Sequence, residues 1–186
     1  IQQEASVKLG NSVKRTMVVA QQLYEGNFEI PDYSGGLITY MRTDSVVLAE
    51  QALTQAQEVI SNEYGIKFGL KEPRFFKNRS ANAQEAHEGI RPTSVMRTPE
   101  SLKDRLDADQ FKLYSLIWKR TVSCQMVPAI FNTVAIDMVP VGSPNIGRLR
   151  ANGSTLVEPG FIAVYQEGSD DVKDDEADGT LPPVEE

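Results

Sequence analysis

The sequence predicts an α+β fold in which a mainly helical domain, residues 1–126, precedes a partial antiparallel β segment, residues 127–166. Apolar residues recur at helical spacing in the first part and at strand spacing after Pro128. Residues 167–186 are strongly acidic, and we expect them to form a solvated, flexible loop or tail. The chain therefore divides into three parts of different character.

Two helices are expected in the first third of the chain. Asn11 or Ser12 can cap the first helix, whose apolar residues follow helical spacing until Gly26. Asp44 or Ser45 can cap the second helix, because a side-chain oxygen at this position accepts a hydrogen bond from the first turn. A glycine-rich turn and a short β-branched stretch connect the two helices.

Two further helices are predicted from their caps. Thr98 is followed by proline, which is favoured at the first helical position, so a short helix is expected there. Asp107, with Gln110 in capping-box position, begins a longer helix. One face of the longer helix is assigned to the core and to no functional role: Phe111, Tyr114, Trp118 and Val122.

The β segment is predicted from alternation and turn residues. Residues 129–138 alternate as a strand does. Residues 148–151 and 154–157 flank Asn152-Gly153, a dipeptide that favours a tight hairpin turn. Residues 161–165 are interpreted as one more short strand.

The net charge of −7 is concentrated at one end of the chain. Residues 167–186 contain nine of the 26 acidic residues and one of the 19 basic residues, so residues 1–166 carry a charge of +1. The acidity of the whole chain therefore does not exclude a nucleic-acid binder, whose affinity depends on local neutralisation of phosphates.

A basic segment at residues 66–80 is interleaved with phenylalanines, a pattern that suits a phosphate backbone and stacked bases. The alternative is a loop anchored by its phenylalanines, with the basic side chains in water. The candidate DNA contacts in this segment are Lys67, Lys71, Arg74, Lys77 and Arg79.

Composition excludes several other classes of protein. No apolar run approaches the roughly 20 residues that cross a bilayer, so no membrane association is expected. Cys124 is the single cysteine, which excludes an internal disulfide and a cysteine-rich zinc site. The first residue is Ile1 rather than Met, and we expect the chain to be a piece of a longer cytoplasmic protein.

Two segments carry candidate chemistry: GLITYMRTDS at 36–45, and QEAHEGIRPT at 84–93. A tyrosine phenol has a pKa near 10 in water, so Tyr40 needs a neighbouring positive charge to act as a nucleophile. Arg42 falls on the same face as Tyr40 if the strand continues that far, and its guanidinium can also bind phosphate oxygens. His87, the only histidine, can donate a hydrogen bond to a phosphate oxygen.

Spacing alone does not establish this chemistry. A tyrosine and an arginine two residues apart on a strand are usually structural, and a lone histidine is usually a satisfied interior or surface group. Tyrosine, arginine and histidine converging on one phosphate would nevertheless make a sensible site for phosphodiester transesterification.

The two segments closely resemble the signatures of bacterial type IA DNA topoisomerases. IQQEASVKLGNSVKRTMVVAQQLYEG, at residues 1–26, is similar to the helical run that precedes the family's nucleophile, and YSLIWKRTVSCQMVPA, at 114–129, to a helix that enters the next domain. The resemblance covers about residues 1–165. Met41 is typical of the topoisomerase I branch, whereas Gly89 replaces a more usual alanine, with a slight backbone effect expected.

The resemblance implies that Tyr40 attacks single-stranded DNA to give a 5′-phosphotyrosyl bond, that Arg42 stabilises the phenolate and that His87 holds the scissile phosphate. It implies that Thr39 and Arg91 contact DNA or orient the motifs. It also implies a helical domain joined to part of an arch domain, single-stranded and negatively supercoiled DNA as partners, and contacts with the remaining domains of the same enzyme.

Members of the family bind Mg²⁺ through an Asp-x-Asp-x-Glu cluster in a separate domain, and no such pattern occurs in these 186 residues. We therefore expect no metal site in the chain, a Mg²⁺ requirement in the parent enzyme, and no relaxation of supercoils by the isolated chain.

Two other interpretations stay open from the sequence. The two helices predicted before residue 66 could form a helix-turn-helix-like DNA-binding module without chemistry. Alternatively, residues 167–186 could recruit a basic partner, which would make the chain an interaction domain.

Overall fold

A computed structural model describes residues 1–31, 33–76, 88–139 and 147–165. It confirms the α+β class, since several helices accompany one two-stranded antiparallel sheet. The described residues separate into two compact units: the helical unit, 1–127 with 161–165, and the hairpin unit, 128–160.

The helices are α1 (Gln2–Leu9), α2 (Val13–Glu25), α3 (Glu50–Val59), α4 (Pro99–Leu102) and α5 (Ala108–Ser123). A π-helical turn (Ile60–Tyr64) and a 3-10 turn (Ile66–Phe68) follow α3, and a second 3-10 turn spans Gly160–Ala163. The strands are β1 (Ile130–Met138) and β2 (Leu149–Glu158). In the described part of the chain, no helix is both long enough and apolar enough to cross a membrane.

Helix α2 begins and ends as predicted. The Ser12 hydroxyl accepts a hydrogen bond from the Arg15 backbone N–H at 3.2 Å. Gly26 ends the helix in the left-handed region, with φ 80°. The α2 face that contains Val19 and Leu23 is completely buried in the core of the helical unit.

The predicted start of α3 at Asp44 or Ser45 is wrong, because the helix begins at Glu50. The Ser45 hydroxyl accepts instead from the Val47 N–H at 3.2 Å, which holds a local turn in place of a helix cap. The helix-turn-helix interpretation does not fit either, since that motif joins its helices by three or four residues and residues 26–49 separate α2 from α3.

The caps of α4 and α5 are confirmed. The Thr98 hydroxyl accepts from the Ser101 N–H, with proline at the first helical position. Asp107 and Gln110 form the predicted capping box at the start of α5. Both caps are local, so the sequence predicts them directly.

Helix α5 forms one wall of the core and holds the segment that follows the second motif. The Trp118 indole N–H donates to the Val95 carbonyl at 2.8 Å, and the Tyr114 hydroxyl donates to the Arg97 carbonyl at 2.7 Å. From the other side, the Val95 N–H donates to the Gln55 side chain on α3 at 3.0 Å. Trp118 is therefore structural, as expected.

The predicted hairpin turn at Asn152-Gly153 is wrong, because both residues lie within β2. They pair with Ala135 and Val134 in a register that extends along β1 to Met138 opposite Leu149. The long antiparallel pairing overrides the local turn preference of Asn-Gly.

The predicted strand at 161–165 is a 3-10 turn instead. The Phe161 N–H donates to the Val127 carbonyl at 3.0 Å, so the chain returns to the helical unit next to the point where it left. Tyr165 is buried there, and its hydroxyl donates to the Glu4 carboxylate.

Candidate active site

The start of the first motif lies against the end of the second. The Thr93 N–H donates to the Leu37 carbonyl at 2.9 Å, and the Thr39 N–H donates to the Arg91 carbonyl at 2.9 Å. Ile38 and Pro92 form an antiparallel bridge between these bonds. This short ladder brings together two segments that lie about fifty positions apart in the sequence.

Gly36 allows the motif to lie directly on helix α2. A Cβ atom at Gly36 would lie 2.0 Å from the Tyr24 carbonyl oxygen, so no larger residue fits without moving the backbone. One residue later, the Leu37 N–H donates to the Leu23 carbonyl at 2.8 Å. The glycine therefore fixes the distance between α2 and the segment that carries Tyr40.

Tyr40, Met41 and Arg42 alternate in exposure. Tyr40 is 42% exposed and Arg42 is exposed, whereas the Met41 side chain between them is buried in the core. The predicted strand does not continue that far, because the chain bends at 41–42. The bend still leaves both functional candidates on the surface, and the Tyr24 ring meets the Tyr40 ring edge-on, with centroids 5.5 Å apart.

Tyr40 lies where two open clefts meet. The first cleft, of about 600 Å³, is lined by Tyr24, Gly36, Ile38, Thr39, Tyr40, Glu88 and Thr93. The second, of about 580 Å³, is lined by Lys14, Met17, Val18, Gln21, Gln22, Tyr40 and Arg42. Tyr40 and Arg42 therefore line the same cleft.

Glu88 connects the second motif to helix α3. Its carboxylate accepts two hydrogen bonds from the Arg91 guanidinium, at 2.6 and 3.1 Å, and one from the Ala49 N–H at 3.2 Å. The hydrogen bond from Arg91, together with its charge and the Ala49 N–H, lowers the pKa of Glu88 despite partial burial. In a capping box, a glutamate in the first turn accepts a hydrogen bond from the N–H of the N-cap residue. At α3 the N-cap is Ala49, and Glu88, which is distant in sequence, accepts that bond.

Thr39 holds the backbone of the second motif. Its hydroxyl donates to the Gly89 carbonyl at 2.8 Å and accepts from the Arg91 N–H at 3.0 Å. A Cβ at Gly89 would lie 3.3 Å from the Ser45 carbonyl oxygen, so an alanine there needs only a small shift, as expected. The geometry favours an orienting role for the Thr39 side chain.

The predicted DNA contacts differ in their surroundings. Arg91 is buried, and its third nitrogen donates to the Pro92 carbonyl at 2.8 Å. The Arg74 guanidinium donates to the Cys124 and Met126 carbonyls at the end of α5. These two arginines are bonded within the protein, and contact of either with DNA stays a prediction.

Lys67 and Lys71 are exposed. The Lys67 amine lies 5.3 Å from the centre of the Phe68 ring. The remaining predicted contacts and the candidate histidine lie outside the described residues, as does the acidic segment: Lys77, Arg79, His87 and 167–186.

Three residues near Tyr40 were missed by the sequence analysis: Lys14, Tyr24 and Glu88. Glu88 follows the candidate histidine directly, so the motif itself could have indicated it. Lys14 and Tyr24 belong to α2, and only folding brings them beside Tyr40. Their exposed positions on an otherwise amphipathic helix were the available signal.

The resemblance implies Mg²⁺ chemistry, and Mg²⁺ is bound by grouped oxygen donors such as carboxylates. Within the four described ranges, no group of three or more histidine, cysteine, aspartate or glutamate side chains could hold a metal ion. The described residues therefore do not fit a magnesium site.

The sequence model of the family described as DNA topoisomerase matches residues 1–186. The chain belongs to the DNA topoisomerase family. The topoisomerase 1 of Rickettsia conorii is 47% identical to this topoisomerase chain over 186 residues, which are 100% of the chain and 24% of that protein. That of Xylella fastidiosa, strain Temecula1, is 46% identical over 184 residues, 98% of the chain and 22% of that protein.

A solved structure of full-length topoisomerase I from Thermotoga maritima is similar to this topoisomerase chain in fold. The two are 34% identical with a TM-score of 0.73, over 92% of this chain and 27% of the other. The topoisomerase chain thus spans about a quarter of the length of the relatives that it matches.

Proposed function

We propose that this chain is the part of a type IA DNA topoisomerase that cuts and reseals one DNA strand, with Tyr40 as the nucleophile. The observation that carries the proposal is the position of Tyr40, exposed at the junction of two clefts and in the same cleft as Arg42. The family supplies DNA as the substrate class.

In this proposal, the Tyr40 phenol oxygen attacks a backbone phosphorus of single-stranded DNA. The bond from phosphorus to the 3′ oxygen of the preceding nucleotide breaks; the phenol gives up its proton and the 3′ oxygen takes one up, so protons balance. The products are a 5′-phosphotyrosyl ester and a free 3′-hydroxyl. Because one phosphoester bond replaces another, the reverse reaction reseals the strand without a nucleotide cofactor.

Arg42 is proposed to stabilise the charge that develops during the exchange. A guanidinium stays protonated at neutral pH and can bind two phosphate oxygens at once. In the described part of the chain, Arg42 makes no ion pair with a carboxylate, so its charge is available to an anionic substrate. His87 is proposed to hold the same phosphate.

The proposal extends to the rest of the protein. Residues 1–126 would form the helical tyrosine domain and 127–166 part of an arch domain. Mg²⁺ would be bound by another domain of the same enzyme, so this chain alone would not relax negatively supercoiled DNA. We place the enzyme in the bacterial cytoplasm.

Tyr40→Phe in the full-length protein tests the proposal. The variant lacks the phenol oxygen but keeps the ring that packs against Tyr24. We expect it to lose covalent capture of a labelled single-stranded oligonucleotide completely, as measured on a denaturing gel, and to lose relaxation of supercoiled plasmid.

Tyr64→Phe provides the matched control, since Tyr64 lies in the π-helical turn and lines neither Tyr40 cleft. This variant is expected to capture DNA like the unmodified protein. Covalent capture that survived in Tyr40→Phe would remove Tyr40 from the proposed role.

A further inference from the structure

We propose that the exposed face of helix α2 binds the DNA strand beside the bond that is cut, and that Lys14 neutralises a phosphate next to the one attacked. This inference rests on the proposed function and names further substrate contacts of the same site. It concerns the second cleft, whose lining includes both Tyr40 and Arg42.

The cleft follows one face of α2. Lys14, Val18 and Gln21 lie at positions i, i+4 and i+7, so their side chains line up along the helix. Lys14 is exposed, and Val18 is 45% exposed although it is apolar. The cleft-facing side of the helix therefore presents three groups in order: the Lys14 cation, the apolar Val18 side chain and the Gln21 amide.

The cations of this cleft differ from the neighbouring cation Arg15 in that they form no ion pair with a described residue. Arg15, next in the chain to Lys14, forms an ion pair with Asp109. In the described part of the chain, neither Lys14 nor Arg42 makes an ion pair or hydrogen bond through its side chain. No acidic residue lies in the first turn of α2. Among the described residues that line the cleft there are thus two positive charges and no carboxylate, which favours an anionic ligand.

The apolar part of the cleft suits a nucleotide rather than an inorganic anion. Met17 and Val18 form an apolar surface between Lys14 and the tyrosines. The exposed rings of Tyr24 and Tyr40 continue this surface. Single-stranded DNA combines backbone phosphates with flat bases, and sites for it combine cations with stacking surfaces in the same way.

Lys14→Ala tests the inference in the full-length protein. Binding of a labelled single-stranded oligonucleotide is measured in a Tyr40→Phe background, so that no covalent product forms. Loss of one phosphate contact is expected to weaken binding several-fold near 0.1 M salt and to reduce the slope of log affinity against log salt by about 0.7. Lys14→Arg is expected to restore most of both values.

Lys103→Ala is the control, because Lys103 is exposed beyond α4 and lines neither Tyr40 cleft. The inference is overturned if Lys14→Ala binds like Lys103→Ala with an unchanged salt slope. Failure of the proposed function would appear separately, as covalent capture by Tyr40→Phe.

Discussion

The carboxylate of Glu88 joins two parts of the chain, the second motif and the start of α3. It accepts from Arg91 within its own motif and from Ala49 at the start of α3. Arg91 in turn has an almost completely buried side chain, which needs a partner because an unpaired buried charge is costly. Glu88 therefore fixes the second motif to the helix that follows the first.

The first residue-scale prediction concerns acid stability. Because the pKa of Glu88 is lowered in the folded protein, its stabilising contribution is complete above the unfolded value, near pH 4.5. It is lost as the pH falls through the lower folded value. Glu88→Gln should lower the free energy of unfolding at pH 7 by about 1–2 kcal/mol, since a hydrogen bond to a charged group is lost.

Urea unfolding of the full-length protein measures this from about pH 7 down to about pH 3. The curves for Glu88→Gln and the unmodified protein are expected to converge as the pH drops, since both then lack the charge. Glu58→Gln, on the exposed surface of α3, is the control and should follow the unmodified protein. A constant difference at every pH would contradict the assignment.

What the sequence could predict at this scale depended on local motifs. Tyr40 and Arg42 lie two positions apart in a recognisable segment, so they could be named and expected side by side. Lys14 lies in another element, and no spacing relates it to Tyr40. The neighbours that α2 supplies become visible only once the helix packs against Gly36.

Among the elements, helix starts were predictable where the cap is local. Ser12, Thr98 and Asp107 accept hydrogen bonds from residues within the following turn, and all three helices begin as expected. Helix α3 begins later than expected because Ala49 binds a carboxylate that lies 39 positions away. The turn predicted at Asn152-Gly153 was wrong for a similar reason, because pairing with β1, which is distant in sequence, sets the conformation of these residues.

The packing of the first motif on α2 gives an element-scale prediction. Gly36→Ala places a methyl group against the Tyr24 carbonyl, and the nearest atom belongs to backbone that cannot rotate away. We expect the free energy of unfolding to fall by about 1–3 kcal/mol, as for other overpacked sites, or by more if the motif leaves the helix. Circular dichroism during urea unfolding measures the loss.

Gly69→Ala is the matched control for this substitution. Gly69 has φ −80°, and a Cβ there would meet its nearest neighbour at 3.6 Å, an ordinary contact distance. Its stability should change by less than about 1 kcal/mol. If the two variants lost the same free energy of unfolding, the close approach at Gly36 would not be the cause of the destabilisation.

For the whole molecule, the α+β class followed from periodicity alone, because burial of one helix face imposes the same spacing in any fold. Residues 161–165 return to the helical unit, which no local pattern indicates, because the contact that holds them is the hydrogen bond from Phe161 to Val127.

From the return of residues 161–165 we predict that the helical unit folds without the hairpin unit. Val127 and Phe161 are hydrogen-bonded neighbours, so a short glycine-serine linker can replace residues 128–160 without stretching the chain. We expect the shortened chain to keep its helical circular dichroism and to unfold within about 1 kcal/mol of the original helical unit. Loss of cooperative unfolding would show that the helical unit needs the hairpin unit to fold.

Trp118 is the only tryptophan of the chain, and its indole N–H is bonded to the carbonyl of Val95. Val95 lies two positions after the end of the second motif. The Thr39 hydroxyl and the Glu88 carboxylate hold the same stretch of chain further back, at Gly89 and Arg91. The fluorescence of this indole responds to the polarity and hydrogen bonding around it. The molecule thus contains an intrinsic fluorescent probe whose side chain lines neither of the two clefts at Tyr40.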